Sequence, residues 1–194
     1  MNYYKEHSQE FIADTLHCDM SEQYCFFEKY LHSKGTILDI GFGSGRDSLY
    51  FKSKGYDVYS IDPEEEFVKH AKNLGLFNVF CMKAQEMEFD NMFDGIWACA
   101  SLLHINSSEL NDTFKKCYQA LKNNGVMYAS FKYGCFDGER NGRHYKDLTK
   151  KSLLKYIKGS KLKIIDTFIS EDVRPERKEK WLNVLLIKEL NDEK

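Results

Sequence analysis

A chain of 194 residues is long enough for one domain with a substantial core and too short for two ordinary ones. Its apolar share of 42%, charged share of 30% and net charge of −2 describe a soluble globular protein and give no global basis for holding nucleic acid. No apolar run nears the ~18 residues of a membrane span, the opening MNYYKEHSQEF has no signal-peptide core, and the scattered cysteines form no C-x-x-C pair, so they read as reduced thiols of a cytoplasmic protein and not as a disulfide frame or metal site.

Residues 8–32 carry apolar side chains at helical spacing in SQEFIADTL and SEQYCFFEKYL, each after a serine placed to cap it. TILDI from Thr36 is a short buried strand, and RDSLYFKSKG is a helix ending at Gly55. DVYSID is a second strand. PEEEFVKHAKNLG opens on Pro63, places three glutamates in its first turn and stops at Gly75, as helix ends prefer. NVFCM and FDGIWACAS are the third and fourth strands, SSELNDTFKKCYQALKNNG a helix with a serine cap and a glycine stop, and VMYASFKY the fifth strand. A polar loop follows, then the helix LTKKSLLKYIKG and two last strands, LKIIDTFIS and WLNVLLIKEL, with no helix between them. Alternation of this kind predicts an α/β, Rossmann-like doubly wound sheet of about seven strands, mostly parallel with an antiparallel edge strand, and ligands at the strand C-termini.

The loop GFGSG stands between the first strand and its helix, where bare backbone lets a ligand approach the helix N-terminus. It is not the nicotinamide fingerprint G-x-G-x-x-G: after Gly41 and Gly43 the third glycine position holds Arg46, whose bulk obstructs close helix-strand packing. The pattern is G-x-G-x-G, with Asp39 before it and Asp62 closing the second strand, where an acid is placed to take both hydroxyls of a ribose.

At these residues the chain resembles the class I S-adenosylmethionine-dependent methyltransferases, over roughly 35–131. LDIGFGSGRDSLYFKSKGYDVYSID is similar to the bacterial branch that includes the tellurite-resistance methyltransferases, which share GRxSLY and GYDV, and the later SFKYG, GERNGRHYKDLT and DVRPERKEKWLN resemble bacterial methyltransferases without a settled substrate. The loop departs from the family at Phe42, where cysteine is usual, and MKAQEMEF lacks the acid that often follows the third strand. The resemblance implies one methyltransferase domain over 1–194: an N-terminal helical lid (1–34), a core that binds S-adenosylmethionine and its product S-adenosylhomocysteine (35–131), and acceptor-side loops, a helix and two strands (132–194).

It also implies roles. The cosubstrate's amino-acid part lies over Gly41, Gly43 and Gly45. Asp39 pairs with the α-ammonium or bonds only to the loop's own amides; Arg46 reaches the carboxylate or is a solvent-facing or ion-paired arginine; Asp62 takes the ribose diol. Ala84 and Gln85 border the adenine, whose partner is Gln85, Glu86 or a backbone amide. Ser101 and His104 stand beside the methyl group, with His104 either a general base or a loop anchor. Tyr4 on the lid covers the cosubstrate, with Thr15 nearby, or packs hydrophobically. The polar loops after the fifth and sixth strands carry Lys132, Arg143 and Arg174, expected to bind a small anionic acceptor; without that role they are surface charges. The alternatives are an RNA methyltransferase, which needs a continuous basic face, and a non-catalytic nucleotide-binding or interaction module on the same fold.

Overall fold

The computed structural model describes residues 3–31 and 34–189. Residue 32 of the sequence-expected first helical region and residue 190 of the expected last strand lie outside them, as do residues 1–2 and 32–33 of the expected lid and 191–194 of the acceptor-side segment. Two helices, α1 (Tyr3–Thr15) and α2 (Ser21–Glu28), precede β1 (Thr36–Ile40), α3 (Arg46–Ser53), β2 (Asp57–Asp62), α4 (Glu65–Asn73), β3 (Val79–Cys81), β4 (Phe93–Ala98), α5 (Ser107–Ala120) and β5 (Leu121–Lys132). A hairpin of β6 (Asp137–Arg140) and β7 (Arg143–Lys146), then α6 (Lys150–Ile157), β8 (Lys163–Glu171) and β9 (Lys180–Ile187), complete the order.

Seven strands form one sheet in the order β3-β2-β1-β4-β5-β9-β8. The first five are mutually parallel, so their C-termini open on one edge of the sheet. β9 runs antiparallel to β5 and to β8. The antiparallel pair stands at one edge, as the missing helix between the last two strands implied; the reversed strand is β9, inserted between β5 and the outermost β8.

Strand pleating divides the apolar side chains between two layers. Leu38, Ile40, Ile96 and Met127 pack on one face with Phe114 of α5 and Leu153 of α6. Ile37, Trp97, Val126 and Tyr128 alternate with them and pack on the other with Phe27 of α2 and Phe51 of α3. A third cluster joins Ile12 of α1 to Phe67 and Ala71 of α4. No helix among the described residues is long and apolar enough to cross a membrane.

Several element ends differ from the sequence expectation. Ser8 lies inside α1, which begins at Tyr3 and is kinked at His7, and Asp19, not Ser21, supplies the side-chain bond at the start of α2 by accepting from the Ser21 amide. α4 starts at Glu65, two residues beyond Pro63. α5 stops at Ala120 instead of running to Gly125, because the Asn91 and Met92 amides take the carbonyls of Gln119 and Ala120, and buried Leu121 pairs with Phe93 as strand. The expected polar loop after β5 contains the β6–β7 hairpin, turned by Asn141 and Gly142 with φ of 50° and 72°. Asn-Gly is the preferred pair for such a two-residue turn.

Candidate active site

The loop between β1 and α3 is shaped by conformations that side chains resist. Gly41, Gly43 and Gly45 have φ of 71°, 53° and 81°. A Cβ on Gly41 would stand 2.5 Å from the Ser101 Cβ, and one on Gly43 would stand 2.8 Å from the Phe11 ring. Gly45 meets only Leu74 and Leu76 and caps α3. Above the loop is a cavity of about 430 Å³, within the range of small-molecule sites. Every sequence-expected site residue borders it except Asp39, Gly45 and Glu86, the last one of the alternatives for the adenine partner.

Asp62 ends β2 at the cavity. Its Oδ2 accepts from the Gly43 amide at 3.1 Å and its Oδ1 from the Glu64 amide at 3.0 Å, which fixes the carboxyl plane. Burial lifts its pKa to about 7, and the two amide donors counter only part of that. Asp39 lies beneath the loop instead. It is buried, accepts from Ser48 Oγ at 2.6 Å, and is held well above the ordinary carboxylate range by burial and then by nearby Asp47.

Arg46 is an ion-paired arginine here. Its guanidinium straddles Asp47, Nε to Oδ1 at 2.7 Å and Nη2 to Oδ2 at 2.9 Å, and its Nη1 reaches the Thr15 carbonyl at 3.4 Å. Asp47 also accepts from the Tyr24 hydroxyl and from Trp97 Nε1 at 2.9 Å. Burial raises its carboxyl, but Arg46 and these donors outweigh that and leave it below the ordinary range.

Past β4 the chain turns at Ala100, whose φ is 51°, and its amide is held by Ser130 Oγ at 2.8 Å. The Ser101 hydroxyl that follows is buried with no hydrogen-bond partner among the described residues. His104 is clamped at both ring nitrogens. The His144 carbonyl accepts from Nδ1 at 2.7 Å, so the tautomer is Nδ1–H and Nε2 accepts from the Tyr4 hydroxyl at 3.0 Å. Arg143 Nη1 donates to the same Tyr4 oxygen at 3.1 Å. Burial, with Arg143 adding to it, lowers His104 to about 4, so its imidazole is neutral at neutral pH. Burial raises Tyr4 to about 12. Tyr4 of α1 thus links the loop after β4 to the β6–β7 hairpin.

On the far side, Lys132 pairs with Glu179 at 2.7 Å, and Arg174 forks onto Asp172 with Nε and Nη2 at 3.0 and 3.3 Å. Asp172 also accepts from Trp181 Nε1 at 3.1 Å. Thr15 is turned onto its own helix, donating to the Phe11 carbonyl at 2.7 Å. Ala84 and Gln85 sit in a single 3₁₀ turn after β3. Sequence reasoning missed Asp47, Phe11, Gln23, Asp172 and Trp181, all of which line the cavity. Aromatic and charged types at these places look like core or surface in a bare sequence; the adjacent pair in GRDS was the one chemical signal.

Residues 37–125 match a family model described as a methyltransferase domain. The chain spans about half the length of the curated relatives it matches. YqeM of Bacillus subtilis (strain 168), named as a candidate methyltransferase, is 30% identical over 118 residues, 55% of this chain and 48% of that protein. Among solved structures, the 1,6-didemethyltoxoflavin-N1-methyltransferase of Burkholderia thailandensis, bound to 1,6-didemethyltoxoflavin and S-adenosylhomocysteine, has a TM-score of 0.79 at 20% identity, over 96% of this chain and 84% of that one. The [4+2]-cyclase SpnF has a TM-score of 0.75 at 15% identity, over 97% of this chain and 95% of that one. Resemblance at such low identity speaks for fold. Residues 37–125 are thus similar to a methyltransferase domain, and the chain has the fold of the class I S-adenosylmethionine-dependent methyltransferases.

Proposed function

We propose that the chain is a cytoplasmic S-adenosylmethionine-dependent methyltransferase acting on a small acceptor with an anionic group. The observation that carries this is the joint geometry of the glycine loop and Asp62 at a cavity shared with the segment after β4. The residues present fit the cosubstrate. Gly41 and Gly43 carry no side chains, though the Phe11 ring over Gly43 must move aside for a ligand, Asp62 keeps lone pairs beyond those its two amide donors use, and the Ser101 hydroxyl has no protein partner among the described residues. Bound there, S-adenosylmethionine would supply an electrophilic methyl group on a sulfonium.

The chain's own part is to bind, orient and exclude water. Asp62 would accept from ribose hydroxyls, with Ala84 and Gln85 beside the adenine. His104 is neutral and held at both nitrogens, which favours the anchoring role over that of general base. Arg143, reaching the cavity from the hairpin, would meet the acceptor's negative charge. Arg174 and Lys132 border the same cavity, but Asp172 and Glu179 neutralise most of what they offer. The GRDSLY segment supports kinship with the tellurite-resistance branch, the free cysteines among the described residues fit a cytoplasmic setting, and the toxoflavin methyltransferase makes a small acceptor a reasonable first choice.

Calorimetry with S-adenosylhomocysteine and NAD, followed by transfer of a labelled methyl group to pooled small metabolites, tests the proposal. Binding of NAD without S-adenosylhomocysteine would overturn it. Tight S-adenosylhomocysteine binding with no methyl transfer to any pool would favour a role such as that of the cyclase, which shares the fold without a methyltransferase name.

A further inference from the structure

Gln23 is a polar side chain of the cavity that, like the Ser101 hydroxyl, has no side-chain hydrogen bond among the described residues. It lies on α2, is only 4% exposed, and borders the cavity. Among the described residues none donates to its amide oxygen or accepts from its amide nitrogen. The amide atoms are open to the cavity, where the polar edge of a ligand can take the place of water. Its neighbours are well satisfied: Tyr24 next in sequence donates to Asp47, and Asp47 is shared with Arg46 and Trp97.

The side of the cavity on which Gln23 sits follows from how α2 packs. Phe26 meets Phe168 of β8 with ring centroids 4.8 Å apart, and Tyr30 donates to Asp166 of β8 at 2.9 Å. Gln23 is one turn nearer the start of α2 than Phe26. Along β8 the cavity is bordered by Ser170, beyond Phe168. This is the β8–β9 side of the sheet, whereas Asp62 and Ala84 belong to β2 and the turn after β3, at the opposite side. The amide therefore stands away from the ribose and adenine of a cosubstrate and on the side left to an acceptor or to the cosubstrate's amino-acid end, which the S-adenosylhomocysteine affinity of the variants below tells apart. Trp181 stands on the same side, its indole tied to Asp172, and supplies a flat apolar wall.

Resting on the function proposed above, we infer that Gln23 reads the acceptor, and that the acceptor presents a lactam or similar planar edge with a hydrogen-bond donor beside an acceptor. A primary amide holds one N–H donor and one oxygen acceptor side by side in a plane, which matches a cyclic amide bidentately. A carboxylate or phosphate has only acceptors and would use half of it.

The test uses the full chain with saturating S-adenosylhomocysteine, 2-pyridone as lactam probe and benzoate as a planar anion lacking the donor. The side-chain NH₂ resonances of Gln23, identified by their loss in Gln23→Leu, are followed by NMR. Expected is a saturable shift with 2-pyridone, an affinity for it weakened about tenfold or more in Gln23→Leu and Gln23→Glu, and S-adenosylhomocysteine affinity within about twofold of the parent in both. That last value also shows that the variants fold. If S-adenosylhomocysteine binds throughout but 2-pyridone leaves Gln23 unmoved, or binds Gln23→Leu as well as the parent, Gln23 does not read a lactam and this inference alone falls. If the parent chain does not bind S-adenosylhomocysteine, the proposed function fails and the inference falls with it.

Discussion

Near neutral pH the Asp62 carboxyl is poised between its two forms, since burial lifts it to about 7. The folded chain therefore keeps a proton that the unfolded chain, with an aspartate near ~3.9, has already lost. The stability this contributes is complete below about pH 4 and is lost as pH rises through about 7, by at most about 4 kcal/mol. Urea denaturation between those values should show Asp62→Asn losing much less stability than the parent; parallel curves would disprove the linkage. Ligand binding should run the other way. The ionised form accepts ribose hydroxyls better, so S-adenosylhomocysteine should tighten roughly tenfold between about pH 6 and 8, and this slope should vanish in Asp62→Asn. Asp62→Ala should weaken binding by about 2–4 kcal/mol at high pH. His104 has the opposite sign to the Asp62 stability effect. Its depressed pKa of about 4 contributes stability that is fully present above ~6.5 and lost as pH falls toward 4. Imidazole NMR should find no titration of His104 between about pH 5.5 and 8, and an inflection near ~6.5 would restore the general-base reading. Sequence placed both residues at the site, but neither the clamp on His104 nor the depth of Asp62 is written in residue types.

At the scale of elements, the β6–β7 hairpin and α1 bring distant stretches to one place. Arg143 reaches Tyr4 only because Asn141 and Gly142 turn the chain with positive φ. Gly142→Ala meets no atom within 4 Å, so its penalty is conformational, about 1 kcal/mol or somewhat more, felt in the hairpin. It should reduce methyl transfer while leaving S-adenosylhomocysteine affinity nearly unchanged; equal losses in both would place the hairpin with the cosubstrate instead. The Asn-Gly signal was legible in GERNGRHY, but composition there was polar enough to read as loop. α1 lies over the glycine loop, with Phe11 against Gly43 and packed on Tyr4 and Phe67 at centroid distances of 5.4 and 5.5 Å. A ligand seated over Gly43 must displace that ring. Hydrogen exchange in residues 4–15 should thus change on S-adenosylhomocysteine binding, and Phe11→Ala should speed association; no effect on either would mean the ligand enters without moving α1. Helical spacing gave the helices and the family resemblance the expectation of a lid, but neither told which ring covers the loop.

Over the whole molecule, what the sequence made legible is what local periodicity and punctuation encode. Alternating buried strands and glycine-stopped helices gave the doubly wound sheet, and two strands without a helix gave the antiparallel edge pair. Strand order beyond the parallel core was not readable, because β9 enters between β5 and β8 through side chains that look equally apolar on either side. The same holds for the joint that ties the N-terminal helices to the sheet. Asp47 of α3 accepts from Tyr24 of α2 and Trp97 of β4 while pairing with Arg46, and Tyr24, Trp97 and Tyr128 stack around it with centroids 5.4 and 4.0 Å apart along the series. Nothing in GRDS reveals that this aspartate is buried. Its loss would strand a buried guanidinium and two donors, which outweighs the gain from removing a desolvated carboxylate. Asp47→Ala should therefore cost about 3–5 kcal/mol, lowering Tm by roughly 10 °C in a chain of this size. Arg46→Met combined with Asp47→Leu removes both charges and should recover much of that, since it leaves no unpaired ion. If the single and double variants melt alike, the ion pair is incidental and the aromatic stack alone holds the helices down. If the double variant is stable yet no longer binds S-adenosylhomocysteine, Arg46 serves the ligand as well as the fold.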